Sequence, residues 1–217
     1  MPRLTPRVAY RVLIPASELI FLLGLFISGM IFFRGKEFDL KAAIISDLES
    51  PDDNPSGYVP SAAATAVSGL LLAPAALAFY RQLRSKRRWL ARLGLGCFVL
   101  GSAGAIFVGL LAPLTRGYSP LHVQLAYAAF IGIAGGIWFN LLALRGARFL
   151  KWFQGVVLVF LVYLYFGPDF FNNDHLLTSI AFWEWLLCAD VGIALLALAR
   201  AIVRGLQPVE DLIASSR

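Results

Sequence analysis

Six apolar stretches, each long enough to cross a lipid bilayer, constrain this chain more than any motif within it. They cover about 11–33, 60–80, 90–112, 120–144, 150–167 and 177–203, and a helical span needs about 20 apolar residues. A water-soluble fold of 217 residues has no core large enough to hide six such runs. Hydrophobic residues make up 59% of the chain, and the mean hydropathy is +0.74, above the roughly half-apolar usage of soluble domains. The chain therefore reads as an integral, multi-pass membrane protein. Lipid offers backbone N–H and C=O groups no partners, and the runs lack the alternation of barrel strands. The expected fold class is all-α, a single domain over 1–217 formed by a six-transmembrane-helix bundle. The basic start MPRLTPRVAYR has the look of a signal peptide, but its apolar run continues to Phe33 without a small-residue cleavage site, so it reads as a retained first span.

Orientation follows from the positive charges, which stay on the cytoplasmic side. With the N-terminus inside, fifteen Lys and Arg fall on inner segments and four, Arg34, Lys36, Lys41 and Arg116, on outer ones. Six spans then place the C-terminus inside as well, and a plasma or inner membrane is the expected location. Eight of the thirteen acids lie on the outer side: Glu37, Asp39, Asp47, Glu49, Asp52, Asp53, Asp169 and Asp174. The net charge of +6 is explained by this topology. The basic run RSKRR at 84–88 reads as a loop that meets anionic lipid head groups, and no nucleic-acid partner is expected.

Several chemistries are disfavoured. Cys97 and Cys188 both fall inside apolar runs and support neither a disulfide framework nor a thiolate zinc site. His122 and His175 are the two histidines, too few for a purely histidine-ligated metal site. His175 follows Asn172-Asn173-Asp174 and reads as a loop or capping residue. The chain holds no G-x-S-x-G, H-E-x-x-H, P-loop or C-x-x-C signature. No metal and no cofactor is expected.

One long polar segment interrupts the apolar pattern, Ile44 to Pro60, IISDLESPDDNPSGYVP. Its turn residues mark an ordered loop, placed on the outer face by the topology. Within the spans, His122, Ala126, Ala129, Gly136 and Asn140 return to one face of the fourth helix, so His122 and Asn140 should point into the bundle. Gly101, Ala105 and Gly109 give the third span a seam of small residues, and Ser61, Thr65 and Ser68 form a polar stripe down the second.

Ionisable residues at helix depth cost at least about 2.5–3.5 kcal/mol and need a compensating environment. Glu18, Glu184 and Asp190 are the candidates. Counted along their own spans, Glu184 lies about two turns below the outer end and Glu18 about two turns above the inner end, so a shared site is not expected. Asp47, His122 and Glu184 are expected to converge at the outer side, with Ser46 and Ser61 nearby and Trp183 and Trp185 flanking the carboxylate. Such a group could perform acid/base chemistry or bind a head group. It would equally serve as a hydrogen-bonded cluster that pins the loop to the helices, and a Ser-Asp pair before a turn often caps a helix start.

The order of features resembles the FRAG1/DRAM/Sfk1 group and the related DUF998 membrane proteins. These features are I-S-D-L (45–48), N-P-x-G-Y (54–58) leading into GLLLAP (69–74), a basic inner loop, L-H opening the fourth span and W-E-W in the last. The resemblance implies six spans over nearly the whole chain. Members of that group include proteins of GPI-anchor lipid remodelling, plasma-membrane lipid organisation and lysosomal autophagy control. It also implies that Ser46, Asp47, His122, Glu184 and Trp185 matter, because they stand at the matching motif positions. Ceramidase-like zinc hydrolases, with which the group has been discussed, bind zinc through three histidines, and this chain has two.

The expected function is binding of a membrane lipid or lipid head group from the outer leaflet, through Ser46, Asp47, Ser61, His122, Glu184 and Trp185, in lipid handling or membrane organisation. One alternative is a membrane-embedded acyl hydrolase or transferase, with His122, Asp47 and Glu184 as catalytic candidates. Another is a proton-coupled transporter that relays through Glu18, Asp190 and Glu184. A purely structural assembly partner, without an enclosed polar cavity, is the remaining reading.

Overall fold

A computed structural model describes residues 6–37, 39, 44–84, 87–115, 119–144, 148–166, 177 and 179–204. Ser85-Lys86 of the basic loop, the turn at 116–118, Arg145, and the 167–175 loop with His175 lie outside the described residues.

The described residues form seven helices. An α-helical turn, Pro6–Val8, leads into helix α1 (Ala9–Phe32), which is π-helical over Ala9–Leu13 and α-helical from Ile14. A short α2 (Ile45–Glu49) lies in the polar segment. Then come α3 (Tyr58–Leu83), α4 (Arg88–Thr115), α5 (Pro120–Ala143), α6 (Arg148–Phe166) and α7 (Ile180–Arg204). The long helices run a few residues beyond most of the apolar stretches, because a helix continues into its polar flanks until a cap stops it. At α5, Ser119 supplies that cap: its Oγ accepts the His122 N–H at 3.2 Å, with Pro120 in the first turn. After α1 the chain turns at Gly35, whose φ of 75° is left-handed.

Among the described residues, five helices are long and apolar enough to cross a membrane: α1, α3, α4, α5 and α7. The expected fifth span, α6, has 19 residues, within the roughly 17–25 that a spanning helix takes, and it begins with Arg148 and Lys151. The Lys151 ammonium turns back and donates to the Leu144 carbonyl at the end of α5, at 2.7 Å, so the first turn of α6 is polar.

Helix α4 is central, with α3 on one side and α5 on the other; α1 lies along α3 and α6 along α5. Small residues permit this close stacking. A Cβ on Gly104 would sit 2.6 Å from the Ala129 nitrogen of α5, and one on Gly69 would sit 2.8 Å from the Ser102 oxygen of α4. The expected seam of Gly101, Ala105 and Gly109 divides between two neighbours, Gly101 meeting Ile133 of α5 and Gly109 meeting Ala62 and Ala66 of α3. Eight residues at about 100° each turn the helix roughly 80° past its starting face. His122 and Asn140 both point inward, at 4% and 1% exposure.

The two ends of the bundle are packed differently. Away from α2, Phe79, Leu83, Phe98, Leu141, Leu198 and Ile202 are essentially inaccessible and form one apolar core. Toward α2, the helices are joined by polar contacts and leave a cavity.

Candidate functional site

The polar segment forms a plug docked on the helices. A five-residue helix is too short to hold itself together, and α2 is fastened from outside. The Glu184 carboxylate of α7 accepts the Ile45 N–H at 2.7 Å and the Ser46 hydroxyl at 3.0 Å. A carboxylate at a helix N-terminus satisfies donors that have no intrahelical partner. Asp47 acts locally, its Oδ2 accepting the Ile44 N–H at 3.3 Å. Leu48 and Ile45 bury their side chains with Leu25, against Phe21, Trp185 and Cys188.

The remainder of the segment is tied down in the same way. The Leu48 carbonyl accepts the Ser61 hydroxyl at 2.7 Å and the Asn54 amide at 3.2 Å. Asn54 also donates to the Ser28 carbonyl, and the Ser61 N–H donates to the Ser28 hydroxyl at 2.9 Å. Ser50 Oγ accepts from the Asp52 and Asp53 N–H groups. Every one of these contacts anchors backbone, which explains why so polar a stretch holds a buried Asn54.

Beneath the plug lies a cavity of about 120 Å³ among α1, α2, α3, α4, α5 and α7. Its polar lining comprises Ser17, Glu18, Ser46, Glu49, Thr65, Ser68, His122 and Glu184, with Cys188. Leu72, Ile133, Val191 and Leu195 line it too and belong to, or pack against, the apolar core. Thr65 donates its hydroxyl to Glu49. Ser17 and Ser68 donate to each other's carbonyls, at 3.2 and 2.8 Å. Burial pushes the Glu49 carboxyl up to about 7, with the nearby Glu184 adding to the rise and the Thr65 bond opposing it. The imidazole of His122 is buried, and its Nε2 has no hydrogen-bond partner among the described residues. No Lys or Arg lines the cavity among the described residues, and none of its acids, histidine and cysteine are grouped so as to hold a metal ion.

Of the residues expected to converge, His122 and Glu184 line this cavity together with the neighbouring Ser46. Asp47, Ser61 and Trp185 do not line it: Asp47 caps α2, Ser61 is a fully buried clamp, and Trp185 packs on the outer flank of α2. Glu18 departs from its expected depth. It shares the cavity with Glu184, and a Cβ on Gly192 would lie 2.6 Å from its Oε2. With α1 beginning at Ala9 and α7 at Ile180, both Glu18 and Gly192 lie near mid-helix and face each other. Asp190 is engaged elsewhere, accepting the buried Gln154 amide of α6 at 3.0 Å on each oxygen. Sequence reasoning missed Glu49 as a cavity residue. Had ISDLES been read as a helical turn, the three-residue spacing of Ser46 and Glu49 would have put them on one face.

A second cavity of about 120 Å³ shares Ser46, His122, Ala126, Phe130 and Glu184 with the first. It extends between α5, α6 and α7 along Tyr127, Leu161, Leu164, Trp183 and Leu187, so an apolar passage adjoins the acidic chamber. Trp183 is held there by its indole N–H on the Leu177 carbonyl at 2.8 Å and by the Phe160 ring at 4.9 Å.

Neither curated proteins nor solved structures yield a match to the chain. Residues 16–201 match the family described as protein of unknown function (DUF998), and the chain belongs to that family.

Proposed function

We propose that this protein binds a membrane lipid by its head group from the outer leaflet, in lipid handling or membrane organisation. The observation that carries the reading is the polar chamber under α2 with an apolar passage beside it. A volume of about 120 Å³ is well above the roughly 10–15 Å³ that one water needs and below the roughly 300–1,000 Å³ of sites that enclose a drug-sized ligand. It suits a head group whose chains remain in the neighbouring passage and the bilayer. Ser46, His122 and Glu184 would contact the ligand, joined by Glu18 and Glu49. Asp47, Ser61 and Trp185 would support the site by holding the plug.

The topology we propose keeps six spans, with α6 crossing as a short helix and both termini cytoplasmic. The excess of Lys and Arg on inner segments supports it. The likeness to the FRAG1/DRAM/Sfk1 group rests on the motif order and on its I-S-D turn, which here is α2. An acyl hydrolase or transferase would need His122 bonded to a carboxylate and to a nucleophile; the free Nε2 does not favour that reading. A relay through Asp190 is not favoured either, because Asp190 does not line the chamber.

Native mass spectrometry of the purified protein, with extraction of bound lipid, tests the proposal. His122→Ala and Glu184→Gln should each retain less lipid than wild type. Unchanged lipid in both variants would remove the proposal, and altered lipid products would replace it with an enzyme.

A further inference from the structure

We propose that the chamber selects a primary ammonium group. This rests on the head-group reading above and names its chemistry. Glu18, Glu49 and Glu184 all line one small space with apolar walls. A buried carboxylate needs a proton or a cation to compensate it, and no Lys or Arg of the described lining supplies one. An anionic ligand would add charge of the same sign.

His122 is the second, independent observation. At 4% exposure it lines the chamber with an Nε2 that no described residue satisfies. A buried polar atom without a partner is unfavourable, because it has given up its bond to water and gained none in return. Ser119 fixes the histidine's backbone and leaves the ring nitrogen to a ligand. Neutral imidazole accepts at one nitrogen, and a primary ammonium offers three N–H donors. The carboxylates and Nε2 together form an acceptor-rich lining that matches those donors with charge-assisted bonds. A quaternary ammonium has no N–H to give and is recognised by aromatic faces; here Phe21 and Phe130 are the aromatic residues of the described lining. The apolar passage shared at His122 and Glu184 gives an ethanolamine lipid somewhere to leave its chains. A free primary amine carries the same recognition chemistry.

The test uses the full chain in nanodiscs with equal parts of phosphatidylethanolamine, phosphatidylcholine and phosphatidylglycerol, released into native mass spectrometry. Wild type should retain phosphatidylethanolamine about tenfold over either other lipid, as one charge-assisted bond implies. Glu18→Gln and His122→Ala should each reduce that preference about tenfold. Asp190→Asn, outside the chamber, should keep it and so reports that the bundle tolerates loss of an acid. A second arm titrates ethanolamine against the protein in lipid-free detergent. Retention of phosphatidylethanolamine without ethanolamine binding assigns the chamber to the lipid, and saturable ethanolamine binding lost in Glu18→Gln assigns it to the free amine. Either result supports the ammonium proposal. Equal retention of phosphatidylglycerol overturns it while lipid binding stands. Ethanolamine binding with no lipid retained overturns the lipid reading alone, and no binding in either arm overturns both.

Discussion

The two ends of this bundle solve different problems with the same helices. The end away from α2 is filled by Phe79, Leu83, Phe98, Leu141, Leu198 and Ile202, all essentially inaccessible. Its stability comes from close packing. The α2 end is held by hydrogen bonds from Glu184, Asn54 and Ser61, and the chamber behind them holds acids and an imidazole with an unsatisfied nitrogen. Among those six side chains there is no room for a ligand, and the open space at this end is a groove of about 830 Å³ along α5 and α6, lined by Trp138, Lys151 and Trp152. Where polar groups hold a plug in place, a chamber survives.

The contrast can be broken most directly at the packed end. Phe79→Ala should cost about 3–5 kcal/mol, the usual range for emptying a buried aromatic site, and should lower the thermal unfolding midpoint in detergent. A loss below about 1 kcal/mol would mean that this end is not the stabilising half. At the plug, Glu184→Ala removes two hydrogen bonds, each worth about 0.5–1.5 kcal/mol. The expected loss is roughly 1–3 kcal/mol, and hydrogen exchange should rise selectively at 44–50. Uniform exchange across all helices would show that α2 is not an independent fastening.

In the folded protein Glu49 has a pKa raised to about 7 from 4.5, so the folded state holds the proton more tightly than the unfolded chain. Its contribution to stability is complete below about pH 4.5 and is lost as pH rises through about 7. The unfolding midpoint should fall by about 5 °C between pH 5.5 and 8.5, and Glu49→Gln should shrink that fall. An unchanged slope in the variant would show that Glu49 ionises freely in the fold. The smallest effect belongs to His122→Ala. Its Nε2 makes no bond to a described residue and its ring borders open space, so the change in stability should stay within about 1 kcal/mol. A larger loss, measured by chemical unfolding, would make His122 a packing residue.

Much of this was legible in the residues alone. Apolar runs fixed the membrane class and most helix boundaries within a few residues, because lipid leaves the backbone no alternative to the helix. The stripe from His122 to Asn140 located an inward face, and the turn chemistry of 44–60 marked an ordered segment. Depth was less legible. Counting turns along α1 and α7 separately put Glu18 and Glu184 far apart, yet both reach one chamber, because tilt and offset between helices are set by side-chain packing. Asp47 shows the same limit at short range: adjacent to Ser46, it turns to its own helix start while Ser46 faces Glu184.

Hydropathy and charge are properties of residues, so they make this chain a set of apolar helices with one polar segment that must find partners. Which partners those are depends on how the helices pack. Glu184 reaches across 139 positions to the Ile45 N–H, Gly192 makes space for Glu18, and Glu49 turns inward to Thr65. Each pairing depends on helix rotation and approach, which are settled when the small faces of neighbouring helices pack together.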